Sequence, residues 1–542
     1  MLFCDKNNQL MYKNYFQIIA LSLLILTFSC AKRGAINGGL KDTLAPVLSS
    51  SFPKNFSKNS TPKEIKLNFD EYIKLKNVAK QLIISPPMKN APEISPYTAS
   101  REIKIKILDT LIPNTTYSFN FGNSIEDNNE DNILRQFKYV FSTGNQIDSL
   151  KLKAKVTDAI DLKTPSFVSI MLYEVNEKYT DSAVYKEVPR YLTNTLDSLK
   201  TVQLENLKPG KYRLLALKDE NNNNKFDVKK DKIGFIKEFI TLPNDTLYEI
   251  ELFKQQPIFK IATTNQASGN KIIVGYEGKP NNPKVEIIKN KIKLPCIVTK
   301  FADKDSLQIW FKDAKTDSIK IKIINNNYTK LVDLKLKNQK KDTLTLTPKF
   351  NSTLPLRENY SLKASTPLLL FEPTKMILLN KDSIAVKFKT EYDEYNQEFK
   401  FLFSKEPLQK YKLKLFPGAV VDFFKSQNDT LTFNFSTKNT SDYGNLRVKL
   451  ENVQRFPIIV ELINKDGKVL HSTISEKNTE IYFDLIEPEK ILLRVIYDDN
   501  KNGIWDSGDF ILLRQAEEVL YFSKEIDVRA NWDVEQPFNL KR

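Results

Sequence analysis

A chain of 542 residues is too long for one hydrophobic core and divides into roughly four or five domains of about 100 residues each. Its 41% hydrophobic and 11% aromatic content can fill packed cores, which excludes wholesale disorder. The formal charge of +16 comes from lysines scattered along alternating segments. No basic helix, zinc pattern or aromatic RNA-binding signature accompanies them, so no nucleic-acid partner is expected.

The first element is an address. Ile18 to Phe28 are all apolar or small (IIALSLLILTF), with Lys13 before them and Ser29-Cys30 after. A basic n-region, a core too short to cross a bilayer and a small residue ahead of the cysteine predict a signal peptide over 1–29. The run resembles the lipobox of bacterial lipoproteins, in which the cysteine is acylated and becomes the new N-terminus. That resemblance implies lipidation of Cys30, although Thr27 stands where Leu is commoner. Met11 is an alternative start, because the segment from there is already a complete signal. Residues 30–45, with Gly34, Gly38 and Gly39, read as a lipidated tether. No Asp follows Cys30, and no later segment is apolar for long enough to span. The expectation is therefore attachment to the outer membrane through the lipid anchor, with the periplasmic and surface faces both open.

From Pro46 onward apolar residues recur with period two, as in Glu64–Asp70, Glu102–Leu108, Ile319–Ile323 and Ile384–Phe388. Such alternation, punctuated by Asn, Asp, Pro and Gly, predicts half-buried antiparallel strands, and helical periodicity is nearly absent. The fold class is all-β: tandem Ig-like and transthyretin-like β-sandwich domains. The divisions expected are an Ig-like domain over 46–145, sandwiches over 146–255 and 256–350, an Ig-like sandwich over 351–440 and a last sandwich over 441–542. Their simplest arrangement is a rod.

Ile65-Lys-Leu-Asn-Phe69-Asp-Glu71, Leu111-Ile-Pro113-Asn-Thr-Thr-Tyr117-Ser-Phe119 and Phe137-Lys-Tyr-Val-Phe141-Ser-Thr143-Gly144 together resemble the SbsA-type Ig-like domain of bacterial surface proteins. The acidic run from Ile125 to Asn132 occupies the loop that in that family reads D-x-x-G-N. With the opening CAKRG…GG…KDT, the whole chain looks like a family of Bacteroidota Ig-like lipoproteins, which implies an envelope location and no reaction.

An internal repeat is the second signal. Leu207 to Asp227 aligns without gaps onto Ile486 to Asp506, with Pro209, Lys211, Asp219, Asn221, Asn223 and Asp227 meeting identical residues 279 positions later. The Leu-Lys-Pro-Gly-Lys-Tyr entry resembles transthyretin-like or CnaB-like sandwiches of carboxypeptidase regulatory modules. Each copy spaces oxygen-bearing side chains at loop positions 1, 3, 5 and 9: Asp219, Asn221, Asn223, Asp227, and Asp498, Asn500, Asn502, Asp506. Hard cations require oxygen ligands, and this skipping pattern aims them inward, so structural calcium is the cofactor expected. The second loop adds Gly503 at position 6 and Asp509 at position 12, close to an EF-hand or dockerin loop. The first has Asn224 in place of the glycine and Asp231 one place late. An ion-free loop of Asx turns is the competing account.

Asp-[Ser/Thr]-[Leu/Ile] recurs along the chain. Side-chain-to-backbone turns that launch strands explain it locally. The triplet also resembles the O-glycosylation sequon of exported Bacteroidota proteins, which implies modification at Thr110, Ser149, Ser198, Thr246, Ser306, Thr343, Ser383 and Thr430.

Catalytic signatures are missing. The single histidine, His471, reads as a solvent-facing strand residue, and no Gly-x-Ser-x-Gly elbow or phosphate-binding loop occurs. Cys296 lies in an apolar run and reads as a buried strand cysteine. No catalytic residue is expected and no enzyme. The function expected is a structural or accessory scaffold of an outer-membrane protein assembly, with an envelope protein as partner. A surface adhesin or glycan-binding module is the alternative, for which Trp310, Trp505 and Trp532 are few and dispersed.

Overall fold

The computed structural model describes residues 42–197, 199–302, 304–312 and 318–541. Cys30, the signal segment and most of the tether lie outside the described residues, as does Ser198. The chain is nearly all β, with 49% strand and 3% helix. Among the described residues no helix is long and apolar enough to cross a membrane.

In the first sandwich the long strand Glu64–Leu75 pairs with Leu48–Phe52, Ser100–Lys106 and Ile125–Asp127. Ile65, Leu67 and Phe69 point inward from it, as alternation requires, onto Ile103, Ile105, Phe119 and Phe141.

The repeat seen over 21 residues extends to whole domains. In the second sandwich Leu150–Asp158 lies between Thr201–Leu207, antiparallel, and Leu247–Leu252, parallel. In the fifth, Gly444–Glu451 lies between Glu480–Ile486, antiparallel, and Asp533–Asn539, parallel. The opposing sheets match as well. Tyr191–Asn194, Ser169–Glu174, Gly210–Lys218 and Lys232–Phe235 follow the order of Val469–Ser475, Ile458–Ile463, Glu489–Tyr497 and Val519–Tyr521.

Between these copies stand two further sandwiches. The third pairs Lys260–Ser268, Lys271–Glu277, Ser306–Phe311 and Cys296–Lys300 against a sheet that ends in Tyr328–Lys335. In the fourth, Leu346–Pro348 already pairs with Tyr360–Ala364, so the division falls before Leu346 rather than at residue 350. The segment Ile384–Phe388, expected as a strand, makes only an isolated bridge between Ala385 and Leu379. Ser383 sits at φ 60° and the Asn380 side chain accepts the N–H groups of Asp382 and Ile384, so a turn interrupts the pleat.

The domains are fastened rather than strung. Arg190 donates to Thr115, and Lys138 meets Glu205 at 2.6 Å across the first joint. Lys229 meets Glu277 at 2.8 Å across the second. At the third joint Trp310, fully buried, donates to Thr299 Oγ1 at 2.9 Å, while Thr299 and Gln308 donate to Gln397 Oε1 at 3.2 and 3.1 Å. Arg357 meets Asp484 at 3.0 Å, and Lys438 meets Glu487 at 2.7 Å, at the fourth. The fifth sandwich then returns to the second. Ser507 donates to the Lys254 carbonyl, Gln515 to the Phe235 carbonyl, and Tyr521 to the Ile160 carbonyl. The expected rod is thus a closed path: domains two to five form a ring, and the first hangs from it.

Candidate functional site

The two oxygen-rich loops leave equivalent strands, Gly210–Lys218 and Glu489–Tyr497, and share one backbone. Asn222 and Lys501 take φ 53° and 62°, and Asn224 and Gly503 take 56° and 78°, at matching positions. The asparagine in place of glycine costs the first loop little, because Asn tolerates left-handed backbone better than other side-chained residues.

In the first loop Asp219 accepts the N–H groups of Asn221 and Asn224 at 3.0 and 2.6 Å. Asp231 accepts those of Glu220 and Asp227 at 2.9 and 2.7 Å. In the second, Asp498 accepts from Asn502 and Gly503 at 3.0 and 2.8 Å. The partner of Asp231 there is Glu517, which accepts from Asn500 at 3.3 Å and Asp506 at 2.9 Å. Burial raises the carboxyl pKa of both Asp231 and Glu517, and the like charges of Asp219 and Asp227, or of Asp498 and Asp506, add to it.

The geometry departs from the spacing in one place. Asp509 does not close the second loop: its backbone bridges Arg514 and its carboxylate accepts the N–H of Leu512, in a hairpin of its own. Glu517, not singled out by spacing, takes the closing place. Asp231, one position late by count, takes it in the first loop. From Asp227 to Asp231 is four residues and from Asp506 to Glu517 eleven, so the second copy carries seven extra residues.

The donor set is only partly arranged for a cation. The Asn502 side-chain amide donates to Asp506 at 2.5 Å and that of Asn500 donates to the same oxygen, so both present N–H rather than C=O. Lys230 reaches Asn221 at 3.0 Å and supplies positive charge to the first loop. Among the described residues no three His, Cys, Asp or Glu side chains gather as a metal-binding group. The loops as they stand hold themselves by hydrogen bonds. Ligation would need both amides of the second loop to turn over, a low-cost rotation at an exposed position.

The remaining candidates are dispersed. Thr110, Ser149, Thr246, Thr343, Ser383 and Thr430 are exposed, whereas Ser306 is half-buried where the strand Ser306–Phe311 begins. His471 is half-buried instead of solvent-facing, 6.3 Å from the Phe483 ring. Cys296 is half-buried, and burial pushes its thiol pKa up. A groove of about 1110 Å³ runs between the first and second sandwiches past Ile84, Met88, Phe167, Asp219 and Asn223.

Residues 42–143 match the family model described as bacterial Ig-like domain. Residues 162–272 match one described as an uncharacterized protein conserved in bacteria (DUF2141), where a transthyretin-like module was expected. No curated protein matches. Solved structures similar to parts of the chain include domains 1–6 of the surface-layer protein SbsC, at 9% identity, covering 89% of this chain and 67% of that one with a TM-score of 0.15. The major pilin subunit BcpA of Bacillus cereus aligns at 9% identity over 72% and 99% of the two chains, TM-score 0.14. A Bacteroides ovatus glucan-utilization protein, SGBP-B, aligns at 9% identity over 82% and 99%, TM-score 0.18.

Proposed function

We propose that this chain is a non-catalytic lipoprotein of the outer membrane, anchored through Cys30 and serving as scaffold or accessory subunit of a cell-envelope protein assembly. The observation that carries this reading is the series of fastened joints. Five sandwiches linked by buried and ion-paired contacts make one body whose resources are shape, loops and strand edges. Tyr328–Lys335 and Val469–Ser475 each end a sheet and carry the edge groups through which a protein partner adds. Calcium is proposed as a structural ion of the second loop, on Asp498, Asn500, Asn502, Asp506 and Glu517, where the crowded carboxylates favour positive charge.

Crosslinking in intact membranes, followed by purification through the C-terminus, tests the reading. It is expected to recover an envelope protein, and Cys30→Ser is expected to shift the chain out of the membrane fraction. Recovery of glycan with no protein companion would favour the adhesin reading instead, and an unchanged membrane fraction for Cys30→Ser would remove the anchor.

A further inference from the structure

The extra length by which the fifth sandwich exceeds its repeat partner carries the most deeply buried contact with that partner. In the first copy the chain passes directly from Asp227 to Asp231 and into Lys232–Phe235. In the second it makes a detour through Ser507-Gly-Asp-Phe-Ile-Leu-Leu-Arg514 before returning to Glu517. Phe510 at the tip is 0% exposed, yet it is not part of its own domain's core cluster. It sits instead against Phe235, ring centroids 5.4 Å apart at 75°, in an apolar cluster with Leu215, Phe226, Ile233 and Phe253 of the second sandwich. The Phe510 N–H donates to Gln255 Oε1 at 3.0 Å, and Gly508 lies so close that a Cβ there would stand 2.6 Å from the Phe253 ring.

We infer that this hairpin is a docking element, and that hairpin and seat form a separable latch closing domains two to five into a ring within one chain. The inference is independent of the scaffold reading. The seat is distinct from the inner core of the second sandwich, which is built on Ile170, Leu172, Leu214 and Ile250, and the hairpin is held at its root by Glu517. An interface centred on one fully buried aromatic, with Trp505, Leu513 and Ala516 packed beside it, joins domains that would otherwise move independently.

The test compares Phe510→Asp and Gly508→Val with Leu512→Asp, all in the full chain bearing Cys30→Ser. Leu512 is on the same hairpin but 70% exposed, so its variant controls for the added charge. Small-angle scattering is expected to show the radius of gyration rising by at least about a tenth in the first two variants and staying unchanged in the third. Amide exchange is expected to speed up over Lys232–Phe235 and 253–255, with the strand Leu150–Asp158 unaffected. Light scattering of the unmodified chain is expected to give a monomer. A radius and an exchange pattern unchanged by Phe510→Asp and Gly508→Val would overturn the latch, as would a dimer in which Phe510 seats on a second copy.

Discussion

Asp231 and Glu517 hold equivalent places in the two copies of one domain, each accepting two backbone N–H groups across its loop, although one lies 12 residues after the loop's first aspartate and the other 19. The constraint they satisfy is local: a tight loop of polar residues leaves inward-facing N–H groups, and a buried donor without an acceptor is costly.

Glu517→Ala is therefore expected to destabilise the fifth sandwich by about 1–3 kcal/mol, and Asp231→Ala the second by a similar amount. Asp509→Ala, which removes only a turn contact, should stay within about 1 kcal/mol. Urea unfolding with a domain-resolved probe checks the ranking; an Asp509 variant worse than the Glu517 variant would reverse the ligand assignment.

Calcium at millimolar concentration should raise the melting temperature of the unmodified chain relative to chelator, because an ion bound only by the folded loop stabilises it by mass action. The shift should vanish in Asp498→Ala and Glu517→Ala and persist in Asp509→Ala. Identical melts with calcium and with chelator would leave the loops as hydrogen-bonded turns alone.

At the joint of the third and fourth domains, Thr299→Val strips the acceptor from Trp310 Nε1 and one donor from Gln397. The site is fully buried, so a loss of about 1–3 kcal/mol is expected in equilibrium unfolding. Loss of the independent motion barrier between the two domains should appear with it, as faster amide exchange in Cys296–Lys300.

The single histidine gives a directed pH response. Partial burial, and then the nearby Arg357 guanidinium, hold the His471 imidazole below its ordinary pKa. Below about pH 6.5 the unfolded chain takes up a proton that the folded chain still refuses. Stability present above that pH is lost as pH falls through the folded value, and His471→Gln should flatten the slope there. Asp231 and Glu517, whose carboxyls are raised, act oppositely: their share is present at low pH and lost as pH rises past the ordinary carboxylate range. Thermal melts from pH 4 to 8 separate the two.

Much of the architecture was legible because alternation is a direct imprint of a pleated sheet with one wet face. Ile65, Leu67 and Phe69 are buried as their spacing requires. The 21-residue repeat marked a domain duplication, because the strand, turn and loop it spans are the parts a sandwich cannot vary freely. Ile384–Phe388 misled for the converse reason: period two places side chains but cannot report that Asn380 and Ser383 have already spent the neighbouring hydrogen bonds on a turn. Counting positions from Asp498 reached Asp509 because a spacing rule assumes no insertion. The ring was invisible altogether, since Phe510 and Phe235 are neighbours only in space, and an apolar triplet such as Phe510-Ile-Leu512 reads like any other strand fragment.

The return of the fifth sandwich to the second also fixes how far this molecule reaches. Five 100-residue domains laid end to end would project the C-terminus a full stack of diameters away from whatever holds the N-terminus, each domain having a radius of gyration of about 13 Å. Because Tyr521 and Phe510 touch the second domain, the last domain instead lies two joints from the first where a linear series would put it four away, so the C-terminal domain is held beside the second.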